Sequence, residues 1–178
     1  MNNAMKLLAI AVLSAAGMSA ASAATQGTLT ITGNVVDQTC EVAAGQMTRT
    51  IDLGDITQGT IKAAAQHASI TSKPLTFAVT GCPASTKGVS IKFDFTADAA
   101  GNQYLSNTGK GKGVLLGITD DTDKAVQTGG TVAAANLDAK AGTATVNAKV
   151  QAYRTAATDA DITAGNIAST ATVTVEAN

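Results

Sequence analysis

Apolar and small polar residues alternate along much of this chain, and the alternation predicts strands. In residues 27–40, "GTLTITGNVVDQTC", Leu29, Ile31 and Val35 fall on one face of a strand, with Thr28, Thr30, Thr32 and Asn34 on the other. Gly33 stands in the apolar row where a large side chain is expected. The two-residue period returns in "RTIDLGDI" (49–56), which puts Ile51 and Leu53 on one face before a Gly54-Asp55 turn signal. "SKPLTFAVTGCP" points Leu75, Phe77 and Val79 inward and stops at Gly81 and Pro83. "KGVSIKFDF" sets Val89, Ile91, Phe93 and Phe95 against Ser90, Lys92 and Asp94. "KGVLLGI" (112–118) is a shorter apolar strand, and in residues 143–154 Val146, Ala148, Val150 and Ala152 share a parity. The final segment, "STATVTVEAN", alternates Ala171, Val173 and Val175 against threonine.

Between these runs lie Gly-, Asn-, Asp- and Ala-rich loops such as "ADAAGNQYLSNTGKGKG". Alanine favours helix at 131–140 and in "IKAAAQHAS", but neither sustains a 3.6-residue apolar period, so both read as loops with at most a helical turn. Short strands at this spacing predict an all-β, immunoglobulin-like sandwich. About six strands follow the N-terminal alternating segment, where that fold wants seven. One strand spare at the front and one lacking at the back predicts self-polymerisation, each subunit's first segment completing the next subunit's sheet. Donor and acceptor surfaces differ, so the contact is heterologous and propagates a filament.

What precedes the first strand supports export. Residues 1–23 carry one basic residue, Lys6, then an apolar run at 7–13, then Ala21-Ser22-Ala23. This is the layout of a secretory signal peptide with cleavage expected after Ala23. The apolar core is too short to span a bilayer, which needs about 20 apolar residues. The mature domain is therefore expected at 24–178, with 24–36 as an N-terminal donor extension.

Charged residues are 14% of the chain and the formal net charge is −1, so neither nucleic acid nor a charged membrane surface is an expected partner. Aromatics are 3% with no Trp, which leaves little for stacking sugars or bases. The two cysteines, Cys40 and Cys82, read as a disulfide in an exported chain; two free thiols or half a metal site compete with that reading, and a single histidine, His67, makes a poor complement for zinc. No catalytic residue, metal site, cofactor or small-molecule substrate is expected. His67 sits in a polar, loop-like stretch without the converging partners of a triad. "GKGKG" (109–113) lacks the frame of a phosphate loop and reads as a flexible connection. "DDTD" (120–123) lacks calcium-ligand spacing and reads as a hairpin turn between Ile118 and Val126. Tyr104 and Tyr153 read as packing or surface contacts.

In this order and spacing, "GTLTITGNVVDQTC", "IDLGDI", "FAVTGCP", "GVLLGITDDTDKAV" and "VQAYRTAATDADITAGNIASTATVTV" resemble the chaperone–usher pilins, the type 1 fimbrial major (shaft) subunit family. The resemblance covers essentially all of 24–178. It implies an incomplete sandwich lacking its last strand, completed by a neighbour's donor strand. It implies a Cys40–Cys82 disulfide, a periplasmic chaperone, an outer-membrane usher, and export through the periplasm to a surface fimbria supporting cell adhesion. The family's donor row maps onto Leu29, Ile31, Gly33 and Val35, the glycine passing over a shallow point of the acceptor groove. The chaperone-facing strand maps onto Ala171, Val173 and Val175. Such pilins usually have a penultimate tyrosine where this chain has Ala177. The alternative within this reading is a minor fimbrial or adhesin subunit that binds a host receptor.

Overall fold

The computed structural model describes residues 39–178. The expected leader and the donor row Leu29, Ile31, Gly33 and Val35 lie outside the described residues.

The described residues open with strand β1 (Glu41–Val42), helix α1 (Ala44–Met47) and helix α2 (Gln58–Ala63). Strands β2 (Ser69–Thr80), β3 (Val89–Phe95), β4 (Ala97–Asp98), β5 (Gly101–Leu105) and β6 (Val114–Asp120) follow. Next come β7 (Ala125–Val126), β8 (Gly130–Ala133), β9 (Asn136–Asp138), β10 (Thr143–Arg154) and β11 (Ala171–Ala177). One sheet runs β1-β2-β10-β6-β5-β4, with β7 on β6 and β9 on β10; the other runs β11-β3-β8. Every pairing is antiparallel. Two sheets of the immunoglobulin type would read A-B-E-D and C-F-G. Here β1-β2-β10-β6 takes the first order, and β3 and β11 take the places of C and F. Among the described residues, no strand takes the place of G.

The alternation read from the sequence is realised in burial. Leu75, Phe77 and Val79 of β2 face Val89, Ile91, Phe93 and Phe95 of β3, and all are buried. The Phe77 and Phe93 rings meet across the sandwich at 6.0 Å, tilted by 60°. On β10, Ala144, Val146 and Ala148 complete the layer. Alanines alternating with large residues on facing strands let the two sheets interdigitate at interior density.

Cys40 and Cys82 form a disulfide, the two Cα atoms 4.2 Å apart. Closing a loop of 42 residues stabilises the fold by about 4 kcal/mol on the chain-entropy account. Gly142 makes the junction compact: its φ is +65°, and a Cβ there would lie 2.7 Å from the Cys82 carbonyl oxygen. The Cys82 amide donates to Gly142 O at 3.0 Å.

Four expectations are corrected. Residues 49–56 do not form a strand, although Ile51 and Leu53 do share a partly buried face. Among the described residues their backbone has no neighbour to ladder with, and Gly54, at φ +74°, turns the chain with its amide donating to Asp52 Oδ1 at 2.8 Å. Residues 131–140, expected as loop with at most a helical turn, contain most of β8 and all of β9. Neighbouring strands override the helical preference of alanine there, since Ser90–Phe93 pairs with 130–133. Part of the long glycine-rich loop is the β4–β5 hairpin. Residues 109–113 are not a free connection, because the Gly111 amide donates to Asn166 O at 2.9 Å and Lys112 bridges to Thr163.

The expected hairpin between Ile118 and Val126 is present, and those two residues pair directly. Asp120 Oδ1 accepts from the Thr122 amide at 2.9 Å, Thr122 Oγ1 at 2.7 Å and the Lys124 amide at 2.9 Å. The first carboxylate of "DDTD" is thus spent on its own turn. The helical turn anticipated near "IKAAAQHAS" begins earlier, as α2, where Thr57 Oγ1 accepts from the Thr60 amide at 3.1 Å. Arg154, buried on β10, gathers the carbonyls that end this helix, donating to Lys62 O at 2.8 Å and Ala64 O at 2.9 Å. Its other guanidinium nitrogen reaches Asp159 at 3.0 Å.

Candidate functional site: an apolar groove between two unpaired edges

β11 pairs with β3 along its whole length, from Ala171↔Phe95 to Ala177↔Val89. Among the described residues no strand pairs with its other edge. Beside that edge lies a groove of about 410 Å³. Leu75, Phe77, Phe93, Leu105 and Ile118 line it from below, and Ala171 and Val173 flank it on one side. The opposite wall is 46–51, from the end of α1 into the extended segment. A second hollow shares Ile51, Leu116 and Ile167 with the first and continues it toward Ile56 and Gly165.

The 46–51 wall is held by side chains rather than by a ladder. Met47 and Ile51 pack against the main core, while Leu53 and Ile56 pack against a second cluster built on Ile61, Val114, Ala152, Ala156 and Ile162. Gln46 Oε1 accepts from the Ala78 amide at 2.7 Å. Arg49 donates to Thr76 O at 2.9 Å, and its guanidinium stands 4.8 Å from the centre of the Phe77 ring. Partial burial lowers the Arg49 pKa from the ordinary arginine value.

The free edge of β11 thus faces the 46–51 wall across an apolar floor. Unsatisfied strand edges recruit another strand. A groove of this kind takes an extended peptide whose main chain bonds to the edges and whose alternate side chains fill the floor.

The sequence placed Ala171, Val173 and Val175 on one face of the last strand, and so they stand: Val173 and Val175 pack partly against the core, and Ala171 is exposed at the groove margin. The apolar residues lining the floor were legible as core residues, but nothing local marks them as groove lining. Only the edge of β11, unpaired among the described residues, does that. Ile167 and Arg49 gave no signal in the sequence.

The chain's histidine and both tyrosines gather on the outer face, away from the groove. His67 Nδ1 and the Tyr104 hydroxyl lie 3.2 Å apart, and the Tyr104 and Tyr153 rings meet edge-on at 5.6 Å. Burial, with the Tyr104 and Asp123 charges behind it, raises the Tyr153 pKa. A Cβ on Gly117 would lie 2.9 Å from the Tyr153 ring, so this ring packs down on the sheet as a cover for glycine.

The profile of the fimbrial protein family matches residues 29–177. The chain is 31% identical over 125 residues to Protein FimG of Escherichia coli strain K12, spanning 70% of this chain and 69% of that protein. It is 29% identical over 136 residues to the Fimbria A protein of Serratia marcescens, spanning 75% and 76%. The fold is similar to that of the P pilus rod subunit PapA, with a TM-score of 0.62 at 16% identity, over 78% of this chain and 99% of that one. An immunoglobulin-like sandwich whose last strand has no further strand beside it among the described residues, in a chain matched along most of its length by the fimbrial profile, identifies the chain as a member of the fimbrial protein family, a chaperone–usher fimbrial subunit exported to the cell-surface fimbria.

Proposed function

We propose that this chain is a shaft subunit that polymerises by donor-strand exchange, residues 24–36 of one copy filling the groove beside β11 of the next. The observation that carries the reading is the groove itself, apolar below and bounded on one side by the edge of β11, which pairs with no strand among the described residues. A chain with both a donor row and an acceptor groove can occupy any interior position of a filament, which suits a repeated shaft subunit. Residues 1–23 act as the leader and are removed. A periplasmic chaperone covers the groove before assembly, facing Ala171, Val173 and Val175, and an outer-membrane usher releases the subunit to its neighbour. The protein's work is assembly rather than catalysis.

The test is the ladder of detergent-resistant multimers in unboiled surface extracts. Gly33→Leu forces a branched side chain into a filled site, at a cost of about 1–3 kcal/mol or more, and abolishes the ladder without unfolding the subunit. Leu29→Ala and Ile31→Ala each remove an anchor worth about 2–5 kcal/mol in a core and give junctions that open at lower temperature. Thr30→Ala, on the opposite face, leaves the ladder intact. A wild-type ladder from Gly33→Leu with a lost ladder from Thr30→Ala would overturn the assignment of the donor face. Gold-labelled antibody along the whole filament supports the shaft role, and label confined to the tip contradicts it.

A further inference from the structure

Residues 164–170, which lead into β11, form one end of the groove wall, yet they belong to no strand or helix. They are fastened to 106–113, and one side chain organises the fastening. Asn107 Oδ1 accepts from the Gly109 amide at 2.8 Å and from the Ala168 amide at 3.0 Å, while Asn107 Nδ2 donates to Gly111 O at 2.7 Å. An amide can accept twice and donate at the same time, which neither a carboxylate nor a hydroxyl reproduces in one geometry. Thr108 N and Oγ1 both donate to Ala168 O, at 2.8 and 3.0 Å, and Ser169 Oγ donates to Ser106 O at 2.9 Å.

The two loops lie backbone on backbone. A Cβ on Gly111 would sit 2.7 Å from Gly165 O, and a Cβ on Gly165 would sit 2.5 Å from Gly111 N. Asn107 itself is half-buried and lines neither part of the groove. What it holds does: Ile167 lines both hollows, and Ala168 and Ser169 line the first, the one that Phe77 and Phe93 floor.

We infer that Asn107 is a positioning residue for strand capture, setting the groove wall at 167–171 in the place an incoming strand needs. The inference rests on the donor-strand reading above. Within that reading it assigns a determinant of junction lifetime to a side chain that touches neither donor nor floor. A wall that must first be ordered charges its ordering entropy to binding, and a pre-ordered wall does not.

The experiment uses the full chain, refolded from denaturant with an excess of a fluorescent peptide of sequence 25–36, and follows release of that peptide into an unlabelled chase. Asn107→Ala should release it about tenfold faster than wild type, the factor corresponding to one net hydrogen bond. Asn107→Asp sets a carboxylate oxygen against Gly111 O in place of the donor and should also release the peptide faster than wild type; it serves if the alanine variant does not refold. Two altered peptides separate positioning from general weakening, with Leu29→Ala and Val35→Ala at opposite ends of the donor row. Only the end seated against 167–171 couples to Asn107, so the Asn107 effect should shrink with one altered peptide and persist with the other. An equal effect with both peptides, or none with either, overturns the inference while the groove reading stands. A wild-type chain that never takes up the peptide removes the groove reading, and this inference with it.

Discussion

β3 and β11 are seven-residue strands of the same sheet, paired residue for residue, yet their apolar rows meet different fates. Ile91 and Phe93 on β3 are fully buried, whereas their partners Val175 and Val173 on β11 are only partly covered. β3 has a strand on each side, β11 and β8; among the described residues β11 has one neighbour. Composition follows position. The enclosed strand carries Ile and Phe, and the strand at the open edge carries Ala and Val. On the donor-strand reading proposed above, the difference has a use: the inward row of β11 is apolar enough to be covered and its residues are small enough to admit a second strand.

Breaking the enclosed side should have the largest effect. Phe93→Ala removes a ring at the centre of the main core and should cost about 3–5 kcal/mol, with loss of cooperative unfolding in a denaturant titration. Val173→Ala should separate the two states of the edge. While the groove is empty it should cost under about 1 kcal/mol; once a donor covers the position, the same substitution should cost about 1–2 kcal/mol, read as the difference between melts with and without the 25–36 peptide. An equal cost in both states would mean that the donor does not cover Val173.

The smallest effect is expected far from both strands, in the Asp120 turn. The Thr122 hydroxyl first, then the Lys124 and Thr122 amides and the Lys124 charge, hold the Asp120 pKa below the ordinary carboxylate value. A carboxylate whose folded pKa is depressed stabilises the fold above its unfolded pKa and loses that contribution as pH falls through the folded value. Acid should therefore loosen the β6–β7 hairpin, seen as faster amide exchange at Thr122 and Lys124, with little change in global stability because the group is exposed. Asp120→Asn should remove most of that pH dependence.

Much of the fold was legible because two-residue alternation reports burial directly. Residues 143–154 read as a strand and are β10 from end to end, and the inward row of β3 was complete. Misreadings arose where a strand is decided by its neighbour. The segment at 130–133 is a strand because β3 lies beside it, while 49–56 alternates equally well and has no ladder among the described residues. Of the site, the alternation placed Ala171, Val173 and Val175 on one face of the last strand, where Val173 and Val175 do turn toward the core. The groove floor and the Asn107 fastening were not legible. They arise where segments about sixty residues apart come together, and no local pattern encodes that contact.

Amide hydrogen exchange along β11, with and without the 25–36 peptide, tests the central claim most directly. Without peptide, the β11 amides that point away from β3 should exchange quickly while those of β3 stay protected. With peptide, alternate β11 amides and those of 49–53 should gain protection together, and β3 should not change. Peptide binding that leaves β11 as exposed as before, or a β11 already as protected as β3 in the free chain, would contradict the account.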